Sequence, residues 1–319
     1  MLPLAGKPDR CIVTGANGFV GSRLVQRLHE RMCEVVPCVR SPESAQGGVA
    51  IGDIHASTAW SSVLEGASVV VHTAARVHVM KDDAADPLIE FRKVNVDGTV
   101  NLACQAAAAG VRRIIFVSSV KVNGESTRQG RLFSADERPG PEDPYGISKN
   151  EAEIALREIA GRTGMEVVIV RPPLVYGPGV RANFAAMMRL LARGIPLPLG
   201  TVNQNRRSMV ALDNLVDLLV TCIGHPAAAN QTFMVSDGED LSTVDLLRRL
   251  GKAMGKPARL IPVPVSLLRF GADLIGKGNE AQRLLGSLQV DISKTRELLD
   301  WTPRISVNEG LRRAAESFK

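Results

Sequence analysis

The amino-acid sequence predicts an α/β fold in which a doubly wound parallel sheet is joined by a smaller, interleaved C-terminal lobe. In the first half of the chain, short apolar runs alternate with stretches of helical periodicity, which is the order that βαβ units impose. A glycine-rich turn follows the first of these runs and opens a helical pattern. With 319 residues, of which 45% are hydrophobic, the chain is long enough to bury a large core and to form two lobes.

The individual elements are placed by the period of the apolar residues and by their glycine and proline boundaries. Strands are predicted at residues 10–14, 34–39, 68–72, 113–118, 166–171, 210–212 and 231–235. Helices are predicted at residues 18–31, 59–64, 89–109, 148–163, 213–223, 242–254, 265–275 and 293–299. The alternation of the two types up to residue 171 favours parallel strands with helices on both faces of the sheet.

The character of the sequence changes after Arg171, where proline and glycine become frequent. Long elements are interrupted at residues 172–173, 177–179 and 196–198. We therefore expect a dinucleotide-binding sheet domain at residues 1–171, to which residues 208–236 return. The substrate lobe then takes residues 172–207 and 237–319.

Composition and charge argue against several classes of partner. The formal net charge is +6, but the 39 Lys and Arg residues are dispersed among 33 acids. Only 4% of the residues are aromatic, so no platform for stacking bases is expected and nucleic acid is not a predicted partner. The cysteines are scattered without the paired spacing of metal ligands, and no metal site is predicted.

Nothing in the sequence has the pattern of a membrane span or a leader. Runs of about eighteen or more apolar residues do not occur, so no membrane insertion is predicted. Residues 1–10 lack an apolar signal segment, and we expect a cytoplasmic protein. The amphipathic stretch at residues 265–277 is compatible with a membrane surface, but we expect it to pack in the core of the second lobe.

The turn after the first predicted strand has the spacing Gly-x-x-Gly-x-x-Gly. Small residues allow a sharp turn and a close approach to a pyrophosphate, and the following helix presents free N–H groups and its positive dipole end. A tight turn without a ligand is the alternative. The predicted pyrophosphate contacts are Gly15, Asn17, Gly18, Phe19, Val20 and Gly21.

The end of the second predicted strand carries an arginine, Arg40, about twenty residues after the glycine turn. An acidic residue at this position would bond the ribose 2′-hydroxyl of NAD, whereas an arginine suits the 2′-phosphate of NADP. Ser41 adds a hydroxyl, and Asp53 is placed to meet the adenine amino group, although either it or Arg40 is also compatible with an exposed position in solvent. The sequence therefore favours NADP(H), with NAD(H) as the alternative.

Tyr145 and Lys149 lie one helical turn apart, so they share a face if this segment opens a helix. An ammonium beside a phenol favours the phenolate, which lowers the tyrosine pKa from about 10 and enables proton exchange with a carbonyl or alcohol. Taken alone, this spacing is also common on exposed helix surfaces. Ser119 follows a strand at the carboxyl edge of the sheet, where it is placed to bond the same substrate oxygen.

Asn95 occupies a predicted helix, where an amide side chain has little intrinsic reason to be. Either it bonds backbone groups near the site, or it is a buried structural amide.

Several motifs in order along the chain resemble the extended short-chain dehydrogenase/reductases of the NAD-dependent epimerase/dehydratase type. The resemblance covers nearly the whole chain and implies a Rossmann sheet. It implies that Ser119, Tyr145 and Lys149 are the catalytic Ser-Tyr-Lys triad and that Lys149 also bonds the nicotinamide ribose. The motifs lie at residues 14–21, 52–54, 72–75, 95–99, 118–119, 145–149, 171–172 and 175–179. Further cofactor contacts implied by them are Ile54, Thr73, Ala74, Ala75, Asn95, Ser118 and Pro172.

The second half of the chain is similar to enzymes of nucleotide sugars. Residues 207–217 resemble a family segment whose arginine, here Arg207, grips a nucleoside diphosphate as a charge-assisted fork. The resemblance also implies a UDP-sugar partner and a homodimer in which the helices at 89–109 and 148–163 form a four-helix bundle. Other substrate contacts expected from it are Lys121, Asn123, Asn183 and Arg283.

One departure from the family pattern bears on the reaction. Sugar-nucleotide dehydratases carry Asp-Glu after the serine, whereas this chain has Val120 and Lys121, so dehydration is not expected. The segments at 118–125, 171–180 and 235–240 resemble the UDP-N-acetylquinovosamine dehydrogenases, bacterial 4-ketoreductases of UDP-linked 4-keto-6-deoxy-N-acetylhexosamines in surface polysaccharide (O-antigen) synthesis.

Two rival functions remain beside the 4-ketoreductase. A UDP-hexose 4-epimerase would use the same triad with tightly bound NAD. A sensor that binds NADP without catalysis is disfavoured, because such proteins commonly lose the tyrosine and lysine that this chain retains.

Overall fold

A seven-stranded parallel sheet forms the centre of the computed structural model, which describes residues 10–44, 47–77, 86–128 and 130–318. Its strand order is β3-β2-β1-β4-β5-β6-β9, and a separate pair, β7 and β8, forms a two-stranded sheet. The order reverses between β1 and β4, so the predicted doubly wound α/β fold is confirmed. The strands are β1 (Cys11–Thr14), β2 (Val35–Val39), β3 (Val49–Ala50), β4 (Val69–His72), β5 (Arg113–Val117), β6 (Glu166–Arg171), β7 (Leu174–Tyr176), β8 (Met209–Ala211) and β9 (Thr232–Met234).

Helices cover both faces of the sheet and build the second lobe. Each predicted helix has a counterpart, but the prediction lacks the helices at Ala182–Ala192, Gly278–Leu285 and Val307–Glu316 and the strands β3 and β7. The two strands are too short to show an alternating pattern. The helices are α1 (Phe19–Glu30), α2 (Ser61–Leu64), α3 (Pro87–Arg92), α4 (Gly98–Ala108), α5 (Pro144–Thr163), α6 (Ala182–Ala192), α7 (Leu212–Gly224), α8 (Thr243–Ala253), α9 (Val265–Leu274), α10 (Gly278–Leu285), α11 (Ser293–Leu299) and α12 (Val307–Glu316).

Two helix boundaries differ from the prediction in ways that matter for the site. Helix α5 begins at Pro144 instead of residue 148, because the Asp143 side chain caps it by accepting a hydrogen bond from the Gly146 N–H at 2.7 Å. The predicted helix 89–109 is broken into α3, a π-helical segment at Lys93–Asp97, and α4. Such segments recur at functional sites.

Each face of the main sheet has its own hydrophobic core. On β1, Cys11 and Val13 pack on the side of α1 and α7, while Ile12 packs on the side of α4 and α5. This alternation follows from the period of two in a strand. Burial on both faces explains why the strands read as continuous apolar runs in the sequence.

A third core belongs to the second lobe. It is built around Tyr176, Phe184, Leu247 and Leu311, from β7, α6, α8 and α12. In the segment that returns to the first domain, β9 joins the main sheet beside β6, whereas β8 pairs with β7 in the small sheet. We propose the division expected from the sequence, with residues 172–207 and 237–319 as the second lobe.

Helix α9 does not pack as predicted. Among its residues none is buried, and Leu267, Phe270 and Leu274 are exposed. The expectation that this stretch fills the core of the second lobe is therefore wrong, because α9 packs mainly against the neighbouring α10.

Within the four described ranges, no helix has both the length and the apolar character needed to cross a bilayer. The segment tested for a leader, residues 1–9, lies outside those ranges.

The buried amide of Asn214 joins helix α7 to the C-terminal segment. The Asn214 carbonyl oxygen accepts hydrogen bonds from the backbone N–H groups of Arg304 at 2.8 Å and Ile305 at 3.0 Å. Its amide nitrogen donates to the Ile305 carbonyl at 2.9 Å and to the Asp237 carboxylate at 2.7 Å. Asp237 also accepts a bond of 2.6 Å from the Tyr176 hydroxyl.

Replacement of Asn214 by alanine should destabilise the fold substantially. The change leaves the backbone groups of residues 304–305 without their partners, and each buried unsatisfied group costs about 1–3 kcal/mol. We expect the free energy of unfolding to fall by roughly 3 kcal/mol in chemical denaturation. Asn308→Ala, at an exposed position of α12, is the matched control and should cost less than about 0.5 kcal/mol. Equal losses in the two variants would contradict this role for Asn214.

Candidate active site

The predicted catalytic and cofactor-binding residues lie along the carboxyl edge of the parallel sheet, the usual ligand-binding edge of such folds. There the loops after β1, β4, β5 and β6 lie side by side, because these strands are neighbours in the sheet. Helix α5 packs across the ends of β5 and β6 and brings Tyr145 and Lys149 to the same edge.

The glycine turn has no room for larger side chains at two of its positions. A Cβ atom on Gly21 would lie 2.2 Å from the carbonyl oxygen of Gly15, and one on Gly15 would lie 2.9 Å from the Ala74 backbone. Gly15 also has a positive φ of 66°. Gly18 caps α1 with its backbone, while Asn17 is exposed and Phe19 and Val20 are half-buried.

This turn fits the pyrophosphate of a dinucleotide. The backbone of the loop is uncovered by side chains, and helix α1 carries no acidic residue in its first turn, so its N–H groups and positive dipole end face a prospective anion. The predicted contacts from Gly15 to Gly21 therefore lie together in one short segment.

A hydroxyl and imidazole network lies beneath the turn. His72 Nδ1 is 2.6 Å from Thr14 Oγ1, and its Nε2 is 3.0 Å from Thr99 Oγ1. Burial, with a smaller contribution from the positive charge of Lys149, lowers the pKa of His72 to about 3, so the ring is neutral. The Thr73 hydroxyl donates to the Thr14 carbonyl at 2.6 Å, which places Thr73 and the adjacent Ala74 and Ala75 directly behind the turn.

The two charged residues predicted at the adenosine end form an ion pair. Arg40 Nε lies 3.0 Å from Asp53 Oδ1, and both side chains are more than 70% exposed. Ser41 follows Arg40 at the end of β2, and Ile54 packs beside Asp53 against the Trp60 cluster. The site therefore holds both the arginine that suits a 2′-phosphate and a carboxylate beside it.

Asn95 lies in the π-helical segment and bonds two other parts of the site. Its amide nitrogen donates to Ser148 Oγ and to the Arg76 carbonyl, each at 3.0 Å, and its oxygen accepts from the Arg76 N–H at 2.8 Å. Ser148 Oγ donates in turn to the Tyr145 carbonyl at 2.8 Å. Asn95 thus ties the loop after β4 to the first turns of α5.

Tyr145 and Lys149 occupy the first two turns of α5, as the spacing predicted. The Tyr145 ring meets Phe91 of α3 edge to face, with centroids 5.9 Å apart. The Lys149 ammonium is buried and lies 4.1 Å above the centroid of the Phe116 ring, a cation–π contact.

The pKa of Tyr145 is shifted opposite to the expected direction. Burial, followed by the negative charge of Asp143, raises the pKa of Tyr145. Burial lowers the pKa of Lys149 to about 7, and Glu153 only partly opposes this shift. Desolvation therefore outweighs the favourable effect of the lysine that the sequence suggested.

The serines after β5 have different surroundings. Ser118 is buried and its hydroxyl donates to the Glu153 carboxylate at 2.6 Å. Ser119 is half-buried, and its oxygen accepts the Lys121 N–H at 3.2 Å. Pro172 is buried beside them and accepts the Val120 N–H at 3.0 Å. The geometry favours Ser119 over Ser118 as the residue that meets a substrate.

The sequence prediction missed a buried ion pair directly below this site. Arg171 donates to Glu153 through Nε at 2.9 Å and through Nη2 at 2.6 Å. Glu153 also accepts from Arg157 at 3.0 Å. The spacing of four residues from Lys149 was the available signal, since it puts Glu153 on the face of α5 that carries Tyr145 and Lys149.

The predicted substrate contacts are distributed over two regions. The Asn123 amide is occupied within the protein, since it accepts from Arg171 at 3.0 Å and donates to the Ser134 carbonyl at 3.0 Å. The Lys121 ammonium pairs with Glu125 at 2.6 Å and with Asp143. Asn183 is exposed in the first turn of α6.

Arg207 and Arg283 lie near each other in the second lobe. Burial, followed by the positive charge of Arg283, lowers the pKa of Arg207, whereas Glu125 opposes the shift. Arg207 Nη1 donates to the Gly286 carbonyl at 3.3 Å, and Arg283 lies 3.8 Å from Glu125. Neighbouring guanidinium groups of this kind suit a polyanion such as a diphosphate.

Comparison with known proteins gives a consistent result. Residues 11–236 match the model of the NAD dependent epimerase/dehydratase family. A Vibrio cholerae protein described as UDP-glucose 4-epimerase is 50% identical over 314 residues, with 98% of this chain and 96% of that protein covered. A UDP-glucose 4-epimerase of Mycolicibacterium smegmatis is 29% identical over 329 residues, covering 97% of this chain and 98% of its own.

A solved structure gives the same fold. The UDP-glucose 4-epimerase of Thermotoga maritima, crystallised with UDP-glucose, superposes with a TM-score of 0.76 at 22% identity and covers 97% of this chain and 98% of its own. The family resemblance read from the sequence is thereby confirmed. With the glycine turn after β1 and the Ser-Tyr-Lys residues gathered at one edge of the sheet, the chain belongs to the NAD-dependent epimerase/dehydratase family of extended short-chain dehydrogenase/reductase enzymes.

Proposed function

We propose that the protein is a 4-epimerase of UDP-hexoses. The observation that carries this proposal is the 50% identity, over 98% of the chain, to a protein described as UDP-glucose 4-epimerase. The neighbouring guanidinium groups of Arg207 and Arg283 support a UDP-linked substrate, because they offer a site for a diphosphate. The replacement of an acid/base pair by Val120 and Lys121 supports a reaction that does not remove water.

The residues that would hold the cofactor fit a dinucleotide. Gly15 and Gly21 let the turn pack closely, Gly18 leaves the backbone exposed at the start of α1, and the N-terminus of α1 would face the pyrophosphate. The bound nicotinamide supplies acceptance and return of a hydride at sugar C4. Lys149 is placed to bond the nicotinamide ribose, and Asn95 holds the first turns of α5 at this site.

Proton transfer falls to Tyr145. The Tyr145 phenolate takes the proton of the sugar 4-hydroxyl as C4 is oxidised, while the Ser119 hydroxyl holds the same oxygen. Lys149, whose pKa of about 7 lies near neutrality, supplies or withdraws positive charge beside the phenol. After the ketone has presented its opposite face, Tyr145 returns the proton and the C4 configuration is inverted.

A 4-ketoreductase is the second candidate, and the exposed Arg40 at the end of β2 favours it. A reductase releases its oxidised nucleotide after each turnover and commonly draws on NADPH, whose 2′-phosphate an arginine accommodates. This function would place the chain in the reduction of UDP-4-keto-6-deoxy-N-acetylhexosamines for surface polysaccharides.

The nucleotide requirement distinguishes these functions. As an epimerase, the purified protein should release NAD on denaturation and interconvert UDP-glucose with UDP-galactose, or their N-acetyl forms, without added nucleotide, as measured by anion-exchange chromatography. As a reductase, it should instead consume added NADPH only when the 4-keto sugar is supplied. Absence of epimerisation together with NADPH consumption would replace the first proposal by the second.

Tyr145→Phe should reduce kcat by about 10²–10⁴-fold, because the variant cannot exchange a proton with O4. Binding of UDP, measured by calorimetry, should stay within about threefold of the wild type. Tyr176→Phe is the matched control: it removes the hydroxyl of the other tyrosine, which bonds Asp237 in the second lobe, and should lower stability instead of kcat. Full activity of Tyr145→Phe would remove the catalytic proposal.

For the cofactor we propose NAD(H), because the Asp53 carboxylate 3.0 Å from Arg40 would repel a 2′-phosphate. Asp53→Asn should therefore improve NADP binding relative to NAD by about three- to tenfold at low salt, as measured by the ratio of dissociation constants. Asp136→Asn, at a similarly exposed acid, should leave the ratio unchanged. A ratio that favours NADP in the wild type would restore the NADP(H) preference expected from the sequence.

We also propose the homodimer expected from the family. Helices α3 and α5 expose Ile89 and Ile154 on the side away from the sheet, each 48% exposed. Ile154→Arg should convert a dimer into a monomer in light scattering, because burial of an unpaired charge at such an interface is unfavourable. Ile261→Arg, at an equally exposed isoleucine of the second lobe, should not. A monomeric wild-type protein would overturn this assembly.

A further inference from the structure

We propose that Lys121 is a positioning residue for the reaction: its ammonium ties the turn that carries Ser119 to the first turn of the helix that carries Tyr145, and it balances the carboxylates beside that tyrosine. The inference rests on the proposed function, because it assumes that Tyr145 exchanges a proton with the sugar. It assigns to Lys121 a role different from the substrate contact expected from the family resemblance.

The lysine joins two elements that each hold one reacting side chain. It lies in a 3₁₀ turn at Val120–Val122, and its backbone N–H donates to Ser119 Oγ at 3.2 Å. Its side chain pairs with Asp143 Oδ2. The other oxygen of Asp143 caps α5 by accepting the Gly146 N–H at 2.7 Å, one residue after Tyr145. A single side chain therefore spans the distance between the serine turn and the start of the tyrosine helix.

The backbones of the two elements are also in close contact at this point. A Cβ atom on Gly146 would lie 2.7 Å from the Lys121 carbonyl oxygen. Only glycine allows the first turn of α5 to approach the serine turn this closely. The ion pair and the backbone contact hold the same two elements together, so the separation of the Ser119 and Tyr145 side chains is set here.

The cluster is electrically unbalanced without the lysine. Lys121 Nζ also lies 2.6 Å from Glu125 Oε1, and Arg283 approaches the other oxygen of Glu125 at 3.8 Å. The side chains of Lys121, Glu125 and Asp143 are only 16–22% exposed, so water screens them weakly. Loss of the ammonium would leave Asp143 as an uncompensated negative charge beside the phenol of Tyr145.

Loss of the Lys121 ammonium should raise the pKa of Tyr145 further. A nearby negative charge disfavours the phenolate, and Asp143 already contributes to the raised pKa of Tyr145. Hydrogen bonds from Lys121 and the Gly146 N–H lower the pKa of Asp143 although burial opposes them, so this carboxylate stays charged. Other charged groups in the first three turns of α5 and on the elements packed against them are Lys149, Glu151, Glu153, Arg76, Glu90, Arg92, Lys93, Asp97, Glu142 and Arg171.

The test is the pH dependence of turnover with UDP-galactose or UDP-N-acetylgalactosamine, whichever the wild type converts. Alcohol oxidation needs ionised Tyr145, so kcat rises with pH. Lys121→Met should move the midpoint of this rise upward by about one pH unit and lower kcat about tenfold below it. Lys121→Arg should restore both values, and so should Asp143→Asn combined with Lys121→Met.

A matched control separates this role from a general loss of charge. Lys294→Met breaks the ion pair of 2.6 Å with Asp136 and should leave the midpoint unchanged. If Lys121→Met does not fold, Asp143→Asn alone decides: a lower midpoint supports the inference, and an unchanged or higher one overturns it.

Two further outcomes would overturn the positioning role. An unchanged midpoint and kcat in Lys121→Met would do so, as would a raised KM with kcat and midpoint intact, since the latter indicates a substrate contact. The result for Tyr145→Phe keeps the two proposals apart. If Tyr145→Phe is inactive while Lys121→Met keeps its midpoint, only the role of Lys121 fails; if Tyr145→Phe is active, the proposed function fails.

Discussion

The buried ion pair between Glu153 and Arg171 is the interaction on which the geometry of the site depends. Glu153 belongs to the helix of Tyr145 and Lys149, Arg171 ends β6, and Ser118 at the end of β5 bonds the same carboxylate. One buried charged cluster thus joins three elements, α5, β5 and β6. Removal of one partner of such a pair costs about 3–5 kcal/mol, because the other charge stays buried alone. The face of α5 that carries Tyr145 and Lys149 is therefore fixed to the sheet by the protein's own contacts.

The charged residues of the candidate site differ in how far they are exposed to water. Near the end of β2, Arg40 and Asp53 are exposed, and salt will screen their effect on a ligand. In the middle, Lys149 is buried and desolvation dominates, so the charge state of the site responds strongly to whatever binds beside it. At the far end, Arg207 is half-buried beside Arg283, which concentrates positive potential where an anion can neutralise it.

The fold and the local motifs were predictable because they follow from short-range patterns. The glycine turn, the helix that holds Tyr145 and Lys149, and most strands depend on residues close in the sequence. Long-range pairing was not predictable. Nothing in the sequence around Asn214 indicates that its amide bonds residues 304–305, and the engagement of Asn123 by Arg171 removes an amide expected to meet substrate. The raised pKa of Tyr145 likewise depends on burial, which a spacing rule does not contain.

The π-helical turn at Lys93–Asp97 lets Asn95 reach Ser148 without disturbing the packing of the helices on either side. Its hydrogen bonds span five residues instead of four, so the turn takes up about one residue more than a turn of α-helix. The flanking helices α3 and α4 therefore keep nearly the relative rotation of a continuous helix, and Leu102 and Ala106 of α4 stay in the core. Deletion of Asn95 would close the turn to regular helix with both flanks in place and would remove the amide that bonds Ser148.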